Sequence, residues 1–262
     1  RKSKQNNWFN DKNTFFIFSY FFALDKEALK KNKFYSKQWE KLPLLLNTKG
    51  KNINWIHHHL KGVIKSKSVD EVNLINKINK KDKQNHHQFL DSFLSMNIIL
   101  KAIVMWLKIF FHMIFINMRL KTKLMQDKHN YLWPLINQDW KKSVFGQTSL
   151  QNILWSYLIE KAMITIPRQC KGLYLCENQG WERAFIYYWK KYGHGELIAV
   201  QHATVRYWDL RYFDLGFSSL DKIKFPQPSP DKMAINGNAA WENFKQANKS
   251  MKRMIKVEAL RY

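Results

Sequence analysis

Glycine, proline and cysteine are scarce in this chain, with nine, six and two among 262 residues. That scarcity first tells what the chain is not. No glycine falls in a GxGxxG or GxxxxGK[ST] pattern, so a dinucleotide fingerprint and a P-loop are both missing. HExxH, GxSxG, DxD and EF-hand patterns are missing too. Cys170 and Cys176 make neither a CxxC motif nor a disulfide framework, which leaves a reducing, cytoplasmic setting as the default. Acidic residues are the other shortage: 20 against 44 basic ones, for a formal charge of +24.

Most of that excess lies early, with 25 basic and 9 acidic residues among the first 130. Nucleic acid, an anionic membrane face or a phosphorylated ligand would each suit such a charge. Yet only eight residues are Arg, the side chain that reads base edges in bidentate fashion. RNP, zinc-finger and zipper patterns are also lacking, so nucleic acid is not an expected partner. The excess is mostly Lys amid much Asn and Ile, as AT-rich coding also produces.

What is present is a chemistry-bearing stretch at 173–204, LYLCENQGWERAFIYYWKKYGHGELIAVQHAT. It reads as strand, polar turn, amphipathic helix, Gly turn and strand. The first strand stops at Glu177, Asn178 and Gln179, and the second delivers Gln201 and His202. A βαβ unit of this kind binds ligands at the carboxyl ends of its strands. Glu177 and His202 therefore form the leading candidate pair, one a base or hydroxyl binder, the other a phosphate donor or acid–base group. The alternatives are that Glu177 caps the next helix and that His202 is structural.

Elsewhere, Thr14–Tyr20 reads as a buried strand, 24–33 as a polar connection and 36–46 as a helix capped by Ser36. Residues 53–57 read as the next strand, so an α/β sheet is already under way. The segment 61–88 is polar and weakly patterned and reads as an exposed insertion or loop. A long apolar helix follows, and 61–130 together are expected to be a helical insertion. In 97–120, Lys101, Lys108, His112 and Arg119 fall within an arc of roughly 40°. With Trp106 they suit a helix in the membrane interface rather than a simple span; the alternative is a core helix with one solvated edge. Residues 133–142 read as a connection, and Ser149 as the cap of a helix through Ala162. His57–His59 is weighed as a metal site and set aside, since a strand sends neighbours to opposite faces.

After His202, Arg206 opens an aromatic and charged segment, and FPQPSP at 225–230 reads as a linker. Then KMAIN, Gly237 and a helix read as the start of a second domain, Gly237 letting a helix N-terminus meet phosphate. The expected organisation is a Rossmann-like domain over 1–228 and a truncated nucleotide-binding domain over 229–262. The chain starts at Arg1 and 257–262 reads as a strand beginning, so it is expected to be a fragment, inactive alone.

Several segments, FFIFSYF, FYSKQWEKLPLLLNTKGKNINWIHHHL, the 173–213 stretch and KMAINGNAAW before VEALRY, resemble the bacterial surface carbohydrate biosynthesis proteins. ENQGWE and QHAT are the most specific of them. The resemblance implies a GT-B-like glycosyltransferase, kin to capsule and lipopolysaccharide transferases, that moves a sugar from a nucleotide-sugar donor to a lipid-linked or glycan acceptor. Glu177 and His202 would be catalytic, and Asn178, Gln179, Trp181, Glu182, Gln201, Arg206 and Gly237 would bind substrate or donor. No cofactor or metal is expected, and the absent DxD fits that. The location would be cytoplasmic, peripheral on the inner face of the membrane, with Lys101, Trp106, Lys108 and Arg119 at the interface. The other readings are a CDP-alcohol-type phosphotransferase and a non-catalytic membrane-docked assembly protein.

Overall fold

Runs such as TFFIFSY, aromatic and apolar with no alternation, suit strands buried on both faces of a parallel sheet. The computed structural model describes residues 14–21, 24–59, 68–126, 132–201, 228–246 and 253–258. Seven strands pair in it, all parallel: β1 (Thr14–Tyr20), β2 (Asn52–His58), β3 (Asn85–Phe89), β4 (Lys171–Cys176), β5 (Glu196–Gln201), β6 (Lys232–Asn236) and β7 (Met254–Val257). Between them lie α1 (Lys26–Lys30), α2 (Leu42–Thr48), α3 (Ser68–Lys81), α4 (Met96–Gln126), α5 (Leu132–Phe145), α6 (Gln147–Thr165), α7 (Gly180–Lys191) and α8 (Asn238–Gln246).

Across the sheet the order is β3-β2-β1-β4-β5-β6-β7. The chain steps outward from β1 to β3, returns to the far side of β1 with β4, and steps outward again to β7. Winding therefore reverses between β1 and β4, the doubly wound order compatible with a Rossmann-like fold. Residues of the sheet and its helices form one compact unit, and Phe93–Lys161 form a second, helical one.

The core of the sheet unit is aromatic. Phe16 stacks on Phe185 and tilts against Trp189, with centroids 5.9 and 5.3 Å apart, and Phe18 meets Phe185 edge-on at 5.0 Å. These rings bring α7 onto β1 and β4. Gly172 in β4 is where the indole of Trp189 sits, in space a Cβ would occupy. Each such fully buried ring contributes about 2–3 kcal/mol of hydrophobic stabilisation.

Four expectations need correction. First, β6 pairs with β5 and β7 with β6, so the strands described within 229–262 continue the first sheet instead of opening a second domain. A Pro-rich connection resembles a domain linker whether it leaves a sheet or merely crosses back over it. Second, 61–88 is not merely a loop, because it contains α3 and the edge strand β3. The inward positions of β3 are Asn85, His87 and Phe89, so buried polar groups replace the aliphatic signal. The Asn79 amide of α3 donates to the His87 carbonyl at 2.8 Å and accepts from its N–H at 2.9 Å, taking the place of a neighbouring strand at that edge. Third, 133–142, expected as a connection, is helical within α5.

Fourth, the helix expected from Ser36 starts only at Leu42. Pro43 sits in its first turn and has no N–H to give the carbonyl of residue 39. Trp39 is drawn into the core instead, where its indole donates to Ser19 Oγ at 2.9 Å.

Candidate active site at the sheet reversal

In a doubly wound sheet, the strands on either side of the reversal diverge at their carboxyl ends and leave a crevice. Here those strands are β1, ending at Tyr20, and β4, followed by Glu177 and Asn178. The Tyr20 hydroxyl donates to Glu177 Oε2 at 3.5 Å, the outer limit of a hydrogen bond. The same hydroxyl accepts from the Trp181 indole at 3.2 Å. Indole, phenol and carboxylate thus form a one-way relay of donors that ends on Glu177. Burial, and then the Glu177 charge, push the Tyr20 phenol far above its ordinary value, so it keeps its proton.

The next turn is shaped by Asn178, whose φ of 55° is unusual for a side-chain-bearing residue and best tolerated by Asn or Asp. That conformation points successive backbone N–H groups to one side, the arrangement that elsewhere cradles anions. The cradle is already full. Glu182 Oε1 accepts from the amides of Glu177 and Gln179, each at 2.9 Å. Burial pushes the Glu182 carboxyl up to about 7, while the amides of Gln179, Glu177 and Asn178 pull against that rise.

Glu182 is therefore the residue that caps α7, and Glu177 is left to face Tyr20. That separates the two roles that the sequence leaves open for Glu177. Beside it, the amide nitrogen of Asn178 is buried without a hydrogen-bond partner, while its Oδ1 lies 3.9 Å from the Cys176 thiol. A buried orphan donor next to a carboxylate is a place where a ligand acceptor would be stabilised.

His58, at the end of β2, lies against this cluster, its ring 5.8 Å from Tyr20 and 5.7 Å from Trp181. Burial lowers it to about 4, so it is neutral. Its two neighbours go elsewhere. His57 points to the opposite face and shares a 3.0 Å contact with His87, while His59 pairs with Glu71 at 2.8 Å. Tyr20 and His58 are the members that sequence reasoning missed. The signal available was their shared position at the end of a strand, which only the strand order converts into proximity.

Of the other expected site residues, Trp181, Glu182 and Gln201 are each less than 5% exposed. Trp181 packs on Phe18 at 4.7 Å, and Gln201 accepts from the Asn236 N–H at 3.3 Å across β5 and β6. They support the edge from within and do not offer themselves to a ligand as direct contacts. Gln179 is the N-cap of α7. Gly237 sits at the β6–α8 turn with φ 84°, a reason for glycine that needs no phosphate. His202 and Arg206 lie outside the described residues. Among the described residues, no three His, Cys, Asp or Glu side chains come together as metal ligands. Lys101, Trp106, Lys108 and Arg119 all belong to α4, in the helical unit.

Compared with protein-family models, with curated proteins and with solved structures, the chain gives no match in any of the three.

Proposed function

We propose that this chain is the acceptor-binding part of a GT-B-like glycosyltransferase of bacterial surface polysaccharide synthesis, using a nucleotide-sugar donor. One observation carries the reading: the cradle at the reversal is filled by the protein's own Glu182, with Glu177 beside it. A turn whose amides are already taken by Glu182, with Glu177 beside it, leaves little for a phosphate to accept from. It suits hydroxyl groups, which donate to Glu177 and accept from the unpartnered Asn178 amide. A polyol is the ligand with that pattern. The resemblance of the ENQGWE and QHAT segments to surface carbohydrate biosynthesis proteins is the second support.

In the proposed reaction an acceptor hydroxyl attacks the anomeric carbon, and its proton passes to Glu177. The bond from that carbon to the nucleotide oxygen breaks, its electron pair leaving with the diphosphate, toward which His202 would act. A GT-B enzyme also needs a nucleotide-binding domain facing this edge. With β6 and β7 in the first sheet, the described residues do not supply one.

Saturation-transfer NMR of the chain against neutral disaccharides, inorganic phosphate, UMP and CDP-glycerol tests the reading. Saccharide signals are expected, weakened about tenfold in Glu177→Gln, as loss of a hydrogen bond to a charged group predicts. Phosphate competing for the same site, or an unchanged Glu177→Gln, would overturn it. Binding of CDP-glycerol without saccharide favours phosphotransfer, and binding of nothing favours an assembly role.

A further inference from the structure

We propose that α4 lies flat in the interface of an anionic phospholipid bilayer, a reading independent of the chemistry assigned to the sheet. It rests on how the 31 residues of the helix distribute about its axis. At about 100° per residue three sectors separate. The first holds Ala102, Trp106, Ile109, Phe110 and Met113, all buried or half-buried. Phe110 there meets Phe145 of α5 edge-on at 5.2 Å.

The second sector is about 120° wide, and between Ile98 and Leu120 it holds only apolar side chains. It includes Leu100, Ile103, Leu107, Phe111, Ile114 and Phe115, all exposed, with Phe111 at 60% and Phe115 at 64%. So large an apolar face marks an interaction surface. The third sector borders the second and carries Lys101, Lys108, His112 and Arg119, all exposed. No Asp or Glu occurs anywhere on α4.

Apolar side chains beside a cationic edge match the two layers of a membrane interface, acyl boundary and phosphate plane. The sign of the charge selects anionic lipid. A second copy of this helix would bring another cationic stripe and no acidic partner. Met96–Thr122 is long and apolar enough to cross a bilayer. Upright, however, it would set Lys108 and His112 near the middle of the hydrocarbon, where charge is most costly. Lying flat, its roughly 46 Å length keeps Lys101, Lys108, His112 and Arg119 at headgroup depth.

Vesicle flotation of the whole chain, with phosphatidylcholine alone or with added phosphatidylglycerol, is the test. Flotation is expected with phosphatidylglycerol, and release in molar salt or alkaline carbonate. Each cation near an anionic surface is worth about a fivefold factor in partitioning, so Lys101→Glu, Lys108→Glu and Arg119→Glu together should cost on the order of a hundredfold or more. Leu107→Gln with Phe111→Gln should abolish flotation while leaving the cations in place. All five positions are exposed, so far-UV circular dichroism should be unchanged. Equal binding to both vesicle types would overturn the proposal, as would retention through carbonate, which marks a span. A lipid-free dimer in sedimentation that Leu107→Gln with Phe111→Gln dissociates would overturn it in favour of a second copy.

Discussion

Phe16 in β1 and Phe115 in α4 come from equally apolar stretches, yet the first is fully buried and the second is 64% exposed. In the sheet unit the apolar runs are only a few residues long, and they are enclosed by neighbouring strands and by helices such as α7. In the helical unit one apolar run forms a helix whose outer sector stays uncovered. Hydrophobicity in a sequence says that a side chain favours leaving water. It does not say whether the protein itself provides the destination.

The sharpest way to test that contrast is to truncate one ring in each region. Trp189→Ala or Phe185→Ala removes a ring from the centre of the aromatic cluster and should cost about 3–5 kcal/mol, enough to unfold a marginally stable chain. Phe111→Ala or Phe115→Ala on α4 should stay within about 0.5 kcal/mol. Urea denaturation followed by circular dichroism measures both, and comparable losses would mean that α4 is packed after all.

Acid offers a second contrast, because the sheet hides histidines and α4 exposes one. Burial holds His57 down to about 3, His58 down to about 4 and His87 well below its ordinary value. Folding therefore excludes protons that the unfolded chain binds below its histidine value of 6.5. The stability from keeping them neutral is complete above that pH and is lost as pH falls toward 4, at about 1.4 kcal/mol per pH unit for each group. His57→Phe with His87→Leu should make this limb shallower, leaving the share of His58. Urea midpoints measured between pH 7 and 4, a window set by these shifts, would decide it.

Glu182 should act with the opposite sign in the same window. Its folded value of about 7 lies above the ordinary 4.5, so its contribution is complete below 4.5 and is lost as pH rises to 7. Glu182→Gln removes that decline but disturbs the hydrogen bonds that the Glu182 carboxyl accepts from the turn before α7, for a net loss of about 1 kcal/mol near pH 5. The pH slope of the variant, set against that of the parent chain, measures this term.

The most local effect is expected at the edge strand. Asn79→Ala should cost about 1–2 kcal/mol by uncovering the N–H and carbonyl of His87. Faster hydrogen exchange in β3, with β1 unchanged, is the readout.

Much of the sheet could be read before any coordinates, for reasons tied to particular residues. TFFIFSY, LYLC and KMAIN are short apolar runs with turn signals around them, and they became β1, β4 and β6. β3 escaped notice because it buries Asn85 and His87, whose partners Trp55 and His57 lie 30 residues away in sequence. No local pattern reports a satisfied buried amide. The candidate site is legible in part: Glu177 stands out from its place after a strand, whereas Tyr20, its hydrogen-bond partner 157 residues away, does not. Glu182 is assigned to substrate or donor by the resemblance of ENQGWE, and a matching motif does not say which of its polar groups the chain's own amides engage.

The carboxylate of Glu182 works as a resident counter-ion. It occupies the Glu177 and Gln179 amides that a phosphate oxygen would otherwise take. A side chain too short to reach them would leave the same backbone open to anions. On the proposed reading, ligand class at this edge follows from occupancy, and one codon would separate a turn that refuses phosphate from one that accepts it.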